Sequence, residues 1–177
     1  MSAHYVTAGS VLIGLLALAG RLVPWYRKHG RKKGGGEGTG GKGKLAPLGP
    51  FIWALILGTL SALATGGLLG QAARTVAQSG NTVGDQMLSM LAGADSPGAT
   101  REGIRMLNPG GSVLLVVLLL GCLLWFWMHG WRIRLEMILG YIAGVTLGPT
   151  AGIAGIAGVI LSPIFNYGGN WIVMGHG

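Results

Sequence analysis

Four apolar blocks, separated by polar or glycine-rich stretches, set the pattern of this 177-residue chain. They cover residues 1–23 (apolar from Val6), 51–73, 112–128 and 135–162. Each is a near-continuous apolar run rather than an amphipathic stripe, and about 20 such residues are what a helix needs to cross a bilayer. Lipid offers no partners for backbone groups, so the pattern predicts four membrane helices. Between them lie a linker at 24–50, a polar loop at 74–111, a short turn at 129–134 and a tail at 163–177. Within the loop, Val76, Val83, Met87, Leu88, Met90 and Leu91 recur at roughly helical spacing. That spacing predicts an amphipathic helix over 75–91, with its Met and Leu side chains on apolar material and Gln78, Asn81 and Asp85 towards water. The first block ends in Ala17-Leu18-Ala19 before Gly20, which fits a small-x-small cleavage rule. It lacks a positive leading region, so a retained helix is expected.

Small residues recur inside the blocks. Gly140, Gly144, Gly148 and Gly152 are spaced four apart in the last one, and Gly58, Ala62, Gly66 and Gly70 form a matching ladder in the second. Helices in lipid associate through close van der Waals packing, which a glycine face permits. The expected fold is therefore all-α: a polytopic membrane protein, a four-transmembrane-helix bundle held by Gly and small-residue packing. Leu at position 144 or 148 should disrupt it, and Ala should be mild. Pro149 should bend the last helix. Phe165, Tyr167 and Trp171 suit an interfacial tail.

Half of the residues are hydrophobic and a tenth charged, a balance that excludes a disordered chain. One cysteine, Cys122, excludes an intrachain disulfide and a cysteine-rich zinc site. The net charge is +8, and its placement matters more than its size. The linker holds Arg27, Lys28, Arg31, Lys32, Lys33, Lys42 and Lys44 against a single acid, Glu37. The 129–134 turn adds Arg132 and Arg134, whereas the longer 74–111 loop has three arginines and three acids. The positive-inside rule then places linker and turn in the cytoplasm and both termini outside a multi-pass cell-membrane protein. Trp25, Trp53, Trp125, Trp127 and Trp131 all fall near the cytoplasmic interface in that arrangement. Besides setting topology, the basic linker has the chemistry to meet anionic lipids, or DNA phosphates without sequence preference.

Little here suggests catalysis. Gly36-Glu37-Gly38-Thr39-Gly40-Gly41-Lys42 matches part of a phosphate-loop pattern. It lacks the Ser or Thr that would hold magnesium and has neither a preceding strand nor a following helix. Glu136 stands four residues after Arg132, the spacing of an exposed helical ion pair. His4, His29, His129 and His176 show no metal-ligand spacing, and no nucleophile or paired-carboxylate arrangement is present. The expectation is a non-enzyme without metal or cofactor.

The four-helix layout, the Gly- and Ala-rich segments, the Arg/Lys/Gly linker and the stretch GGLLGQAARTVAQSGNTVGDQML at 66–88 resemble the small hydrophobic Spd-type spread proteins of actinobacterial conjugative elements. The resemblance implies an envelope protein that helps plasmid DNA pass between cells or hyphal compartments, as an oligomer or complex subunit beside a DNA translocase. No residue-level site carries over from that family. Two other readings fit the same layout: a holin-like or other small pore-forming protein, and a structural anchor of a larger membrane complex.

Overall fold

The computed structural model describes residues 6–30, 48–64, 66–93, 95–99, 107–150 and 156–174. These residues form six helices: α1 (Ala8–Gly30), α2 (Gly49–Leu63), α3 (Gly67–Ala92), α4 (Pro109–Met128), α5 (Trp131–Leu147) and α6 (Ile156–Met174). Among the described residues there is no strand, and Thr7 and Gly98 form an isolated antiparallel bridge. The described part of the chain is all-helical.

Local chemistry explains where the helices begin and end, and it corrects several expected boundaries. α1 does not stop at residue 23 but continues through Pro24 to Gly30. Proline leaves the carbonyl four residues earlier without its donor and crowds it; here that residue is Gly20, which has open space around it. The expected 51–73 helix is two helices. α2 ends at Leu63, Gly67 takes a left-handed φ of +76° that suits glycine, and α3 departs at 100° to α2. α3 closes at Gly93, also left-handed, whose N–H donates to the Ser89 carbonyl at 2.9 Å. α4 starts three residues before the apolar run. Asn108 is its N-cap and accepts from the Gly111 N–H at 2.8 Å, and Pro109 occupies the first turn, where its missing N–H is harmless.

The 135–162 run is likewise not one helix. α5 stops at Leu147, and Pro149 cannot donate into the ladder. Thr150 closes the end, its hydroxyl donating to the Leu147 carbonyl at 2.7 Å. The expected tail is mostly helix α6, with Pro163 inside it. By length and composition, Ala8–Arg27 of α1 and Pro109–Met128 of α4 can each cross a membrane, and the bent α2–α3 pair would make a third crossing. Two to three candidate spans therefore stand where four were expected.

α2 and α5 pack side by side and parallel, with α1 antiparallel on α5. α4 takes α6 as its main neighbour. α3 lies across the ends of three helices: Gly70 meets Ala64, Ala73 and Ala77 cluster with Ala62 and Val145, and Gly84 meets Gly9. The bundle thus has an α3 end and, opposite it, a turn end made by residues 129 and 130. The main core gathers Leu57, Leu60, Leu115, Leu118 and Met137, with Leu161 and Phe165 of α6 packed against them.

Candidate functional site: glycine seams and a basic end

The α2–α5 contact is the most extensive between two of the described helices, and the backbones come close along it. A methyl group on Gly58 would strike the Tyr141 carbonyl, and one on Gly140 the Phe51 carbonyl. On Gly144 it would strike the Leu55 carbonyl and come within 2.8 Å of the Thr59 N, and on Gly148 within 2.8 Å of Thr59 Cγ2. Thr59 fastens the seam: its hydroxyl lies 3.0 Å from the Leu55 carbonyl and 3.3 Å from that of Gly144. Not every residue of the two ladders joins it. Ala62 reaches Val145 of α5 but is shared with Ala73 and Ala77 of α3, Gly66 has nothing within 4 Å, and Gly70 meets Ala64 after the bend. The break between α2 and α3 turns those last two glycines away from α5. Gly152 lies outside the described residues.

Two further seams were not anticipated. Between α1 and α3, Gly9 and Gly84 leave no room for a methyl on either, and Gly80 faces Ser10 Oγ. The signal was present as Gly70, Ala73, Ala77, Gly80 and Gly84, small residues alternating three and four apart on one helix face. Between α4 and α6, Gly110 and Gly169 meet backbone to backbone. Side-chain amides tie this seam: the Asn108 N–H donates to Asn166 Oδ1 at 2.9 Å, and Asn108 Nδ2 to Asn170 Oδ1 at 3.1 Å.

At the α3 end a polar knot holds the start of α1. Thr7 caps it, accepting from the Ser10 N–H at 3.3 Å and donating its hydroxyl to Asp85 Oδ1 at 2.6 Å. The Thr7 N–H donates to Asn81 Oδ1 at 3.1 Å, and the Gly9 N–H to Ser96 Oγ at 2.9 Å. Asp85 also suits the positive end of the α1 dipole. The sequence expectation that Asn81 and Asp85 face water is therefore corrected: both serve the α1 N-terminus. Most large apolar residues of α3 are not its contact face either: Leu68, Val83 and Met90 are exposed, Leu69 and Val76 pack against the core, and small residues make the closest contacts.

The turn end carries the charge. Arg21 of α1 pairs with Glu136 of α5 at 2.8 Å, with both side chains largely buried, in place of the Arg132 partner expected from spacing. Arg134 Nε donates to the Phe126 and His129 carbonyls at 3.1 and 3.2 Å, and its guanidinium stands 5.1 Å from the Phe126 ring centre. It thereby caps the last turn of α4. Arg27 is exposed at this end and Lys28 continues the same helix. Arg31, Lys32, Lys33, Lys42 and Lys44 lie outside the described residues. Trp127 and Trp131 are well exposed beside the turn. Among the described residues, no three His, Cys, Asp or Glu side chains gather as a metal site would require. No protein-family model, curated protein or solved structure matches the chain.

Proposed function

We propose that this chain is a multi-pass cell-membrane protein acting as a non-catalytic, oligomeric accessory subunit of an envelope complex that supports plasmid DNA transfer or intercellular spread. The observation that carries the reading is the contrast between the two ends of the bundle. At the α3 end, small and uncharged residues dominate the contacts between helices. The turn end presents Arg27, Arg132, Trp127 and Trp131, and the linker adds six more Lys or Arg. A protein anchored with the turn end in the cytoplasm meets both anionic lipids and DNA with that face.

In this reading α1, α2, α4 and α5 cross the bilayer, α3 and α6 sit towards the outer face, and both termini are outside. α2 and α5 have 15 and 17 residues, so alone they reach only about 22 and 25 Å at 1.5 Å per residue. α3 lies across their far ends and completes the apolar thickness there. α6 begins against Gly148 and Leu63 and reaches Gly110 at the start of α4, so it too belongs to that end.

The link to DNA transfer comes from the resemblance, and binding tests it. Replacing Lys32, Lys33, Lys42 and Lys44 by Gln is expected to weaken binding to DNA and to anionic vesicles, with a steep salt dependence in the parent. Unchanged binding at low salt would reduce the linker to a topology signal. Dye leakage from vesicles reconstituted with the purified protein would support the pore-forming reading instead.

A further inference from the structure

α4 and α5 are joined by only His129 and Gly130, yet they do not pack along each other: α4 goes to α6 and α5 to α2. The wedge left between them is a groove of about 420 Å³. Leu119, Cys122, Leu123 and Phe126 of α4 form one wall, and Met137, Ile138, Tyr141 and Ile142 of α5 the other. Ala54 and Leu57 of α2 form its floor, and Leu69, Ala72 and Val76 of α3 lie at its far end. We propose that this groove binds one acyl chain of an anionic phospholipid, with the headgroup at the α4–α5 turn and the chain terminus under α3. The proposal rests on the membrane-spanning reading above.

Three observations select that occupant. Water needs two to four polar partners, and the wall offers it almost none. The Tyr141 hydroxyl lies beside Ser61, and the Cys122 thiol is a weak donor. A helix from a second copy would find no glycine on either wall, unlike the seams at which this chain's own helices meet closely. A hydrocarbon chain does fit: it fills a narrow slot at carbon–carbon contact distances of about 4 Å. The walls run roughly 10 Å along α4 from Leu119 to Phe126, at 1.5 Å per residue, enough for part of one chain. The rim residues Leu123 and Ile138 are half exposed, so the slot opens sideways onto lipid. Charge then fixes the direction. Arg132 is exposed at the turn and Arg134 stands over Phe126, the groove residue nearest that end, whereas Leu69, Ala72 and Val76 of α3 close the far end and the nearby Arg74 is not among the lining residues.

The test uses the full chain purified in a mild detergent and washed free of loose lipid, with retained phospholipid counted by native mass spectrometry. Membrane association resistant to carbonate extraction is scored separately. The parent is expected to keep a single anionic phospholipid. Ala72→Phe, which places a ring in the groove from an exposed position, should lower that occupancy about tenfold, a loss of about 1.4 kcal/mol in binding. Leu124→Phe on the outward face of α4 should leave it unchanged, and Arg132→Gln should lower occupancy while leaving the groove intact. The sole cysteine supplies a check on the rival occupant, because a bis-maleimide joining two Cys122 thiols would place a second copy there. Such a cross-link, or equal lipid retention by parent and Ala72→Phe, overturns the groove assignment. Loss of carbonate-resistant association by the parent overturns the membrane reading itself.

Discussion

A glycine in this bundle matters according to what a methyl group would strike. At Gly144 it would meet backbone on α2 on two sides, and backbone cannot swing away as a flexible side chain can. The expectation that Ala is mild therefore fails at this position. Gly144→Ala should cost about 1–3 kcal/mol, as overpacking does, and Gly144→Leu more. Gly121, on the same kind of apolar helix, has nothing within 4 Å, so Gly121→Ala should be neutral or stabilise by up to about 1 kcal/mol. Thermal unfolding in detergent compares the two, and an equal response would mean the α2–α5 seam is not tight. The Arg21–Glu136 pair is the other residue-scale feature. Both side chains keep less than a quarter of their surface, so removing one partner strands a charge in a poorly solvated place. Glu136→Gln should lower stability by about 1–3 kcal/mol, below the 3–5 typical of a fully buried pair. The exchanged pair, Arg21→Glu with Glu136→Arg, should recover much of it, and failure to recover would show that packing rather than charge is at stake.

At the scale of elements, α3 shows how the sequence misleads. Its existence was legible over 75–91, but its orientation was not, because size and apolarity were taken to mark the contact face. In lipid, apolarity does not distinguish a protein-facing side from a lipid-facing one. Gly70, Ala73, Ala77, Gly80 and Gly84 touch the bundle, and the larger Leu69, Val76, Val83 and Met90 flank them about a quarter turn away at 100° per residue. Arg74, Gln78 and Thr82 occupy the remaining side. A nitroxide at Met90 should therefore be relaxed by oxygen dissolved in lipid, and one at Gln78 by a water-soluble nickel complex. Equal accessibility at both positions would mean α3 does not lie in the interface. The helix breaks were equally visible as Gly66-Gly67 and Pro149, yet the length of each apolar run outweighed them. Ala62 and Val145 then found neighbours on α3 that no pattern within one helix reveals. The Asn166 and Asn170 amides are hidden for a related reason, since they join segments about 60 residues apart. The Asn108 cap, by contrast, is local and stands in the sequence as Asn before Pro109.

For the whole molecule, the account is of a bundle with two unlike ends, one knitted by small residues and covered by α3, the other basic and rimmed by tryptophan. In the proposed topology the turn end faces the cytoplasm, where it can meet DNA or the anionic inner leaflet. The same sidedness assigns the groove lipid to the leaflet at the turn end. Surface labelling of single-cysteine variants in intact cells tests this most directly. Cys122 is buried and is replaced by Ser as the background, with Gln86→Cys reporting on the exposed side of α3 and Gly40→Cys on the linker. Gln86→Cys should react with a membrane-impermeant maleimide in intact cells, and Gly40→Cys only after the membrane is opened. Labelling of Gly40→Cys from outside, with Gln86→Cys protected, would contradict the account.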